Sequence, residues 1–253
     1  MKKIIYFAVT CFLSLQSYSQ ENALKIDRSS AKIKIDGALN EPIWNDLKPF
    51  NKFYNHFPID SGITKKPIIA KAFHDGNLLY IGVTVIEDSS DYIVRSLKRD
   101  EGFDSFTKGD GFAIILDVTG NQNSGYFFAT NVKGGQTDGI VSITNDNYSV
   151  DENWNTKWES KTMIEKNKRS YEIAIPLNSF PYKSNQWKIN LMNIDAKRPQ
   201  YSTLTSYSRN YSLLDLRFTT SFEIQNLKIT KNSKLTLIPT TVFSFTKNTN
   251  DNV

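Results

Sequence analysis

The sequence predicts an all-β protein, an antiparallel sandwich or barrel with few short helices. Three observations carry this: runs of apolar residues alternate with period two, turn-forming clusters separate those runs at short intervals, and helical periodicity is nearly absent. The composition agrees. Twelve Tyr and sixteen Phe favour strands and surfaces that stack on flat ligands.

The elements follow in order. Lys2 and Lys3 precede the apolar run Ile4 to Leu15, and Ser17-Tyr18-Ser19 places small residues at −3 and −1 before Gln20. This is the layout of a secretory signal, residues 1–19, cleaved after Ser19; its apolar core is too short to span a bilayer. The single cysteine, Cys11, falls within it, so the mature chain holds no thiol for a disulfide, a zinc site or a nucleophile. Ala8-Val9-Thr10-Cys11 is a weak lipobox, which keeps lipid anchoring as an alternative. Export without disulfides fits a bacterial envelope protein.

Residues 21–31 form a polar lead-in. Ile33 and Ile35 then alternate like a strand, Asp36-Gly37 breaks the run, and Asn40 is placed to cap a helix from Glu41 to Lys48, with Pro42 in its first turn. Ile68 to Phe73 and Leu79 to Val85 are strands joined by the turn His74-Asp75-Gly76-Asn77, with Leu79, Ile81, Val83 and Val85 on one face. A second short helix is expected over Ser90 to Leu97. Phe112, Ile114 and Leu116 share a face, and Asp117 to Asn121 turns the chain. Strands follow at Gly125 to Thr130, Gly139 to Ile143, Trp158 to Ile164, Tyr171 to Ile175 and Trp187 to Asn193. Residues 195–221 read as a long loop or a polar edge hairpin, and Phe222 to Ile229 as the last strand. The sandwich therefore occupies residues 20–230. In the tail, 231–253, Leu235, Leu237, Pro239, Thr241, Phe243 and Phe245 alternate over about the ~10 residues of one outer-membrane strand.

Several function classes drop out. The formal charge of +5 is small, scattered and partly contributed by the leader, so nucleic acid is not an expected partner. His56 and His74 are the only histidines, and neither a Gly-x-Ser-x-Gly elbow nor a His-Glu-x-x-His helix occurs. A glycosidase carboxylate pair has no sequence signature, since it is a separation in space.

The string Ile33-Lys34-Ile35-Asp36-Gly37-Ala38-Leu39-Asn40-Glu41-Pro42-Ile43-Trp44 resembles the opening of the family 9 carbohydrate-binding modules and their DOMON-like relatives. The resemblance continues through Leu79-Tyr80-Ile81-Gly82, Arg99-Asp100-Glu101, Gly109-Asp110-Gly111-Phe112, Tyr126 to Asn131, Trp154-Asn155-Thr156-Lys157-Trp158 and Tyr171 to Pro176. In this order the set is similar to an uncharacterised family of envelope proteins that join such a module to an outer-membrane β-barrel. One departure touches the ligand region: Trp154-Asn155 stands where that family usually has Trp-Asp. The resemblance implies a β-sandwich of jelly-roll or immunoglobulin-like form, a saccharide or glycan as ligand, a non-catalytic role linked to carbohydrate catabolism, and a place in the periplasm, outer membrane or medium.

A sugar site needs an aromatic face against the C–H face of a pyranose and amides, carboxylates or guanidinium groups around its hydroxyls. Trp44 and Trp187 are expected in the core. Trp154, at the end of the polar run 145–153, is the expected platform, and Trp158 would share its face unless it belongs to the core. Asn131 and Gln136, flanking Gly134-Gly135, and Arg99 are the expected polar partners, although turn chemistry alone explains the glycine loop. Asp100, Asp104 and Asp110 are expected either as calcium ligands or as a solvated loop in which Arg99 pairs with an acid. The related modules carry structural calcium, which the resemblance implies without locating it. Two alternatives stand beside sugar binding: a structural domain of a barrel protein, and a glycoside hydrolase-associated activity.

Overall fold

The computed structural model describes residues 24–87, 91–144 and 147–229. The expected leader, residues 1–19, and the alternating tail lie outside the described residues. Among the described residues thirteen strands form two packed layers. The larger layer holds β1 (Leu24–Arg28), β2 (Tyr54–Phe57), β5 (Gly111–Asp117), β6 (Ser124–Asn131), β7 (Gln136–Thr144), β8 (Asn147–Asp151), β11 (Gln186–Asp195), β12 (Gln200–Thr203) and β13 (Thr220–Ile224). Its strand order is β8-β7-β6-β5-β11-β13-β1. β12 continues the same edge of β11 beyond β13 and pairs in turn with β2. The smaller layer runs β1-β3-β4-β10-β9, with β3 (Ile68–His74), β4 (Leu78–Ile86), β9 (Glu159–Glu165) and β10 (Lys168–Pro176).

β1 belongs to both layers. Leu24, Lys25 and Ile26 pair in parallel with Phe222, Glu223 and Ile224, and Asp27 and Arg28 with Phe73 and His74. A strand that changes sheets midway makes the corner of the sandwich. Every other pairing is antiparallel. The expectation of an all-β sandwich of the family 9 type holds.

The alternation read from the sequence sets the core. Leu79, Ile81, Val83 and Val85 of β4 face Phe112, Ile114 and Leu116 of β5 across the layers, with Trp187, Phe222 and Ile173 between them. Burial of each such side chain stabilises the fold by about 1.5–3 kcal/mol. The intervening residues of these strands are buried too. Ala113, Ile115, Phe127, Ala129, Met192 and Ile194 form a second apolar cluster on the outer face of the larger layer, roofed by Leu213, Leu214 and Leu216. On the outer face of the smaller layer, Trp44, Phe73, Tyr80 and Ala174 form a third, covered by Ile33, Ile35, Leu39 and Ile43.

The opening string is therefore a lid over the smaller layer. Its helix, α1 (Pro42–Asp46), is shorter than expected, and Glu41 rather than Asn40 takes the cap position, without a side-chain bond. Ile33 and Ile35 join no ladder, because they lie across the outer face of a sheet instead of along its edge. What anchors the lid is Glu172 of β10. It accepts hydrogen bonds from Asp36 N at 2.9 Å, Gly37 N at 3.0 Å and Trp44 Nε1 at 3.1 Å. Burial pushes the Glu172 carboxyl above its usual range, against those three donors. Gly82 has no side chain because a Cβ there would meet Trp44 Cζ3 at 2.8 Å.

Three other expectations are corrected. Residues 91–97 are not helical; Ile93 instead donates its N–H to Asp110, which holds the segment extended against the sheet end. The last strand ends at Ile224, where Gln225 N bonds back to Ile26 O. Residues 195–221 contain β12 and a 3-10 turn at Leu216–Phe218, and their apolar residues cover the second cluster. Among the described residues no helix is long and apolar enough to cross a membrane.

Candidate functional site

Two neighbouring regions at one end of the sandwich contain the residues of interest. The first is a node around Arg99. Its Nη2 donates to Asp138 Oδ1 at 2.5 Å, Asn155 Oδ1 at 2.7 Å and Thr156 O at 2.9 Å, and its Nη1 donates to Gln136 Oε1 at 2.9 Å. Asp100 Oδ2 lies 3.2 Å from Nε and accepts from Asn155 Nδ2. Asp138 is fully buried and also accepts from Trp158 Nε1 and Thr156 N, both at 3.0 Å. Burial raises its carboxyl above the ordinary range, opposed by the Trp158 and Thr156 donors and by Arg99.

The node does bring Arg99 and Gln136 together, as expected of ligand partners, but they bind each other. Gln136 spends its amide on Ser160 Oγ at 2.8 Å. Asn131 closes its own loop: Nδ2 donates to Ser96 O, and Oδ1 accepts from Lys133 N and Gly135 N. Trp158 is a core residue, 4% exposed, with its ring edge against Phe128. Its expected ligand role is corrected by that burial. Trp154 is half-buried, with its indole 4.8 Å from the Tyr126 ring and 6.1 Å from Phe128, so it seals the rim of the interlayer core.

The acidic residues of this segment do not fit a calcium ion. Asp110 is buried, and its oxygens accept from Ile93 N at 2.6 Å and Ala196 N at 3.1 Å. It faces the fully buried Arg169 at 4.0 Å, which is itself 3.1 Å from Glu87 and bonded to Asn193. Asp100 is engaged in the node, and Asp104 stands exposed on α2 (Phe103–Phe106). Among the described residues no group of three His, Cys, Asp or Glu side chains is placed to hold a metal.

The second region is a depression of about 420 Å³ on the outer face of the larger layer, beneath α2 and between β8 and β12. This is within the size range of small-molecule sites, ~300–1,000 Å³. Its floor is apolar, from Val150, Leu213, Leu214 and Phe103, the exposed limit of the second cluster. Tyr148 on the edge strand stands 52% exposed at its wall, and Tyr201 lies across from it with its ring 5.4 Å from Phe57. The rim carries carboxylates from Asp104 and Glu152 and hydroxyls from Thr107 and Ser212. Glu152 is held in place because Phe103 N donates to its Oε1 at 2.8 Å. Gly102 makes this approach feasible: its φ is +84°, and a Cβ there would stand 2.7 Å from Glu152 Oε2.

Apolar floor, aromatic wall and acceptor rim are the components that bind a pyranose, one for its C–H face and one for its hydroxyls. None of the residues lining this depression except Asp104 was an expected site residue, and Asp104 was expected for metal. Tyr148 carried the one available signal, a bulky aromatic within an otherwise polar run just before a strand. Tyr201 and Leu213 reach the site only through the tertiary fold.

No family model and no curated protein matches the sequence. Solved structures do share the architecture. A family 9 carbohydrate-binding module from Caldicellulosiruptor kristjanssonii, in complex with cellotriose, superimposes with a TM-score of 0.55 at 14% identity, covering 85% of this chain and 100% of that one. The same kind of module from that organism in complex with glucose gives 0.54 at 14%, covering 83% and 100%. A protein of Bacteroides uniformis ATCC 8492, provisionally assigned to carbohydrate binding, gives 0.59 at 11%, covering 80% and 99%. At these identities the likeness establishes a fold: the chain has the β-sandwich architecture of the family 9 carbohydrate-binding modules.

Proposed function

We propose that this chain is an exported, non-catalytic saccharide-binding protein that holds its ligand in the depression between α2, β8 and β12. The observation that carries the reading is the pairing of Tyr148 and the apolar floor with the Glu152 and Asp104 carboxylates in one concavity. Support comes from the fold, which the cellotriose and glucose complexes share, and from the secretory signal pattern at residues 1–19. The site is shallow and partly solvated, so affinity is modest and the role is capture, in the cell envelope and in service of carbohydrate catabolism.

The test is calorimetric titration of the mature chain with neutral gluco-oligosaccharides, alongside Tyr148→Ala. Loss of one stacking face costs about tenfold in affinity. An unchanged affinity in Tyr148→Ala overturns the location of the site. Release of reducing sugar by the purified chain overturns the non-catalytic reading and revives a hydrolase.

A second reading, a structural domain of an outer-membrane barrel protein, is favoured by the alternating pattern from Leu235 to Phe245. Membrane fractionation tests it. An outer-membrane pool that binds no saccharide supports it.

A further inference from the structure

Within the saccharide-binding reading, on which this inference rests, the depression has a second property: its charge has one sign. Among the described residues that line it, Asp104 and Glu152 are the only ones with a carboxylate, amine or guanidinium group. Among those described residues there is no Lys, Arg or His, in a chain with 31 basic and 26 acidic residues. Arg95 and Lys98 line a separate notch together with Glu101 and Phe106, Arg99 is consumed in its node, and Arg217 is bonded to Asp215.

One of the two carboxylates is also pre-positioned. Glu152 is tied to the backbone N–H of Phe103, and Asp104 is the next residue. The backbone donor, with the space left by Gly102, sets the carboxylate before any ligand arrives, which reduces the ordering cost of binding. Carboxylates have no donor hydrogens. They accept from sugar hydroxyls, accept more strongly from an ammonium group, and repel a sugar carboxylate.

We propose that the depression selects saccharides by charge, taking oligomers of amine-bearing hexosamines ahead of neutral hexoses and rejecting uronates. An exposed carboxylate–ammonium pair is individually weak, so the discrimination is modest and screened by salt. The amine ligand binds about fivefold more tightly than its neutral counterpart at low ionic strength.

The experiment titrates the full mature chain with glucosamine tetramer, cellotetraose and a galacturonate oligomer, each in dilute buffer and in about 0.5 M salt. The expected order is amine, neutral, uronate, with the first gap closing in salt. In the double variant Asp104→Asn, Glu152→Gln the order collapses; glutamine keeps an oxygen for Phe103 N, and an unchanged urea midpoint shows that the fold is intact. Equal affinity for the three ligands, or a ranking that survives the double variant, overturns this inference alone. Failure of all three ligands to bind the wild-type chain removes the saccharide reading and this inference with it.

Discussion

The Arg99 node and the Tyr148 depression share two segments, residues 99–107 and 147–156, yet they handle polar groups in opposite ways. In the node, a guanidinium, two amides and two carboxylates bond one another, although Asp100 Oδ1 is left without a partner, and the centre of the network is a carboxylate with no exposure at all. In the depression, two carboxylates and two hydroxyls ring an apolar floor that water reaches. Both hold the residue types of a sugar site. Gln136 of the node borders only a notch of about 30 Å³, whereas the second region leaves its polar groups around a concavity of about 420 Å³, and a ligand competes with water far more easily than with a formed internal network.

The sharpest way to break this comparison is to cut the node. Arg99→Ala strips the buried Asp138 of its charged partner and leaves it with two N–H donors. Arg99 itself is 35% exposed, so the cost is that of leaving the buried carboxylate short of a charged donor, about 2–3 kcal/mol. The urea midpoint falls accordingly, while saccharide affinity of the folded protein stays at the wild-type value. A variant of normal stability that no longer binds sugar reverses the roles of the two regions.

Trp154→Ala is the next largest effect. The indole packs on Tyr126 and Phe128 at the rim of the core, so its removal costs about 2 kcal/mol, less than for a fully buried tryptophan. Tyr148→Ala, at an exposed edge position, changes stability by less than about 0.5 kcal/mol. The two aromatic truncations therefore separate: one moves the denaturation midpoint, the other the binding isotherm. If Trp154→Ala abolishes binding and leaves the midpoint alone, the indole is the platform that its sequence context suggested.

The strands were legible because alternation is a local property. Phe112, Ile114 and Leu116 share a face wherever the strand sits, and a ladder then follows from the turns at 75–77 and 117–121. The burial of both faces was not legible, since the second cluster needs Leu213, Leu214 and Leu216 to fold over from 100 residues away. That same covering segment makes the depression. Asp110 illustrates the converse. Its acidic neighbours suggested a cation site, but its charge is answered by Arg169, 59 residues on, and by the N–H groups of Ile93 and Ala196. Trp158 was ambiguous by sequence because a strand residue beside a loop faces either way, and the Asp138 carboxylate decides it by accepting from the indole N–H. Sequence proximity placed the right segments together; which side chains were already spoken for depended on partners across the fold.

Acid titration sharpens the comparison with the smallest effect, because the buried imidazoles and the Asp138 carboxylate of the node carry linkages of opposite sign. His56, in β2 behind the Tyr201 wall, is 3% exposed, with its ring 4.4 Å from Tyr207 and its Nδ1 without a hydrogen-bond partner. Burial lowers its pKa, against the Tyr207 backbone bond and Asp60 that raise it. His74, also buried, is lowered chiefly by burial too, although its bond to Gln225 O raises it. For a depressed imidazole the unfolded chain takes up the proton first, at about pH 6.5. The stability contributed is full above that value and is lost as pH falls through it. Asp138 is raised, so the folded chain takes up its proton at a higher pH than the unfolded chain, and stability gains as pH falls toward about 4. Urea midpoints at pH 7.5 and 5.5 are therefore expected to fall for the wild type. They are expected to fall less for His56→Phe and His74→Phe, each of which removes one proton-binding site from the unfolded chain. An equal fall in both variants removes the imidazoles as the source of the acid sensitivity; Asp195, which its bonds to Lys66 and Arg198 hold below the usual range against the effect of burial, loses its stabilisation only as pH falls below about 4.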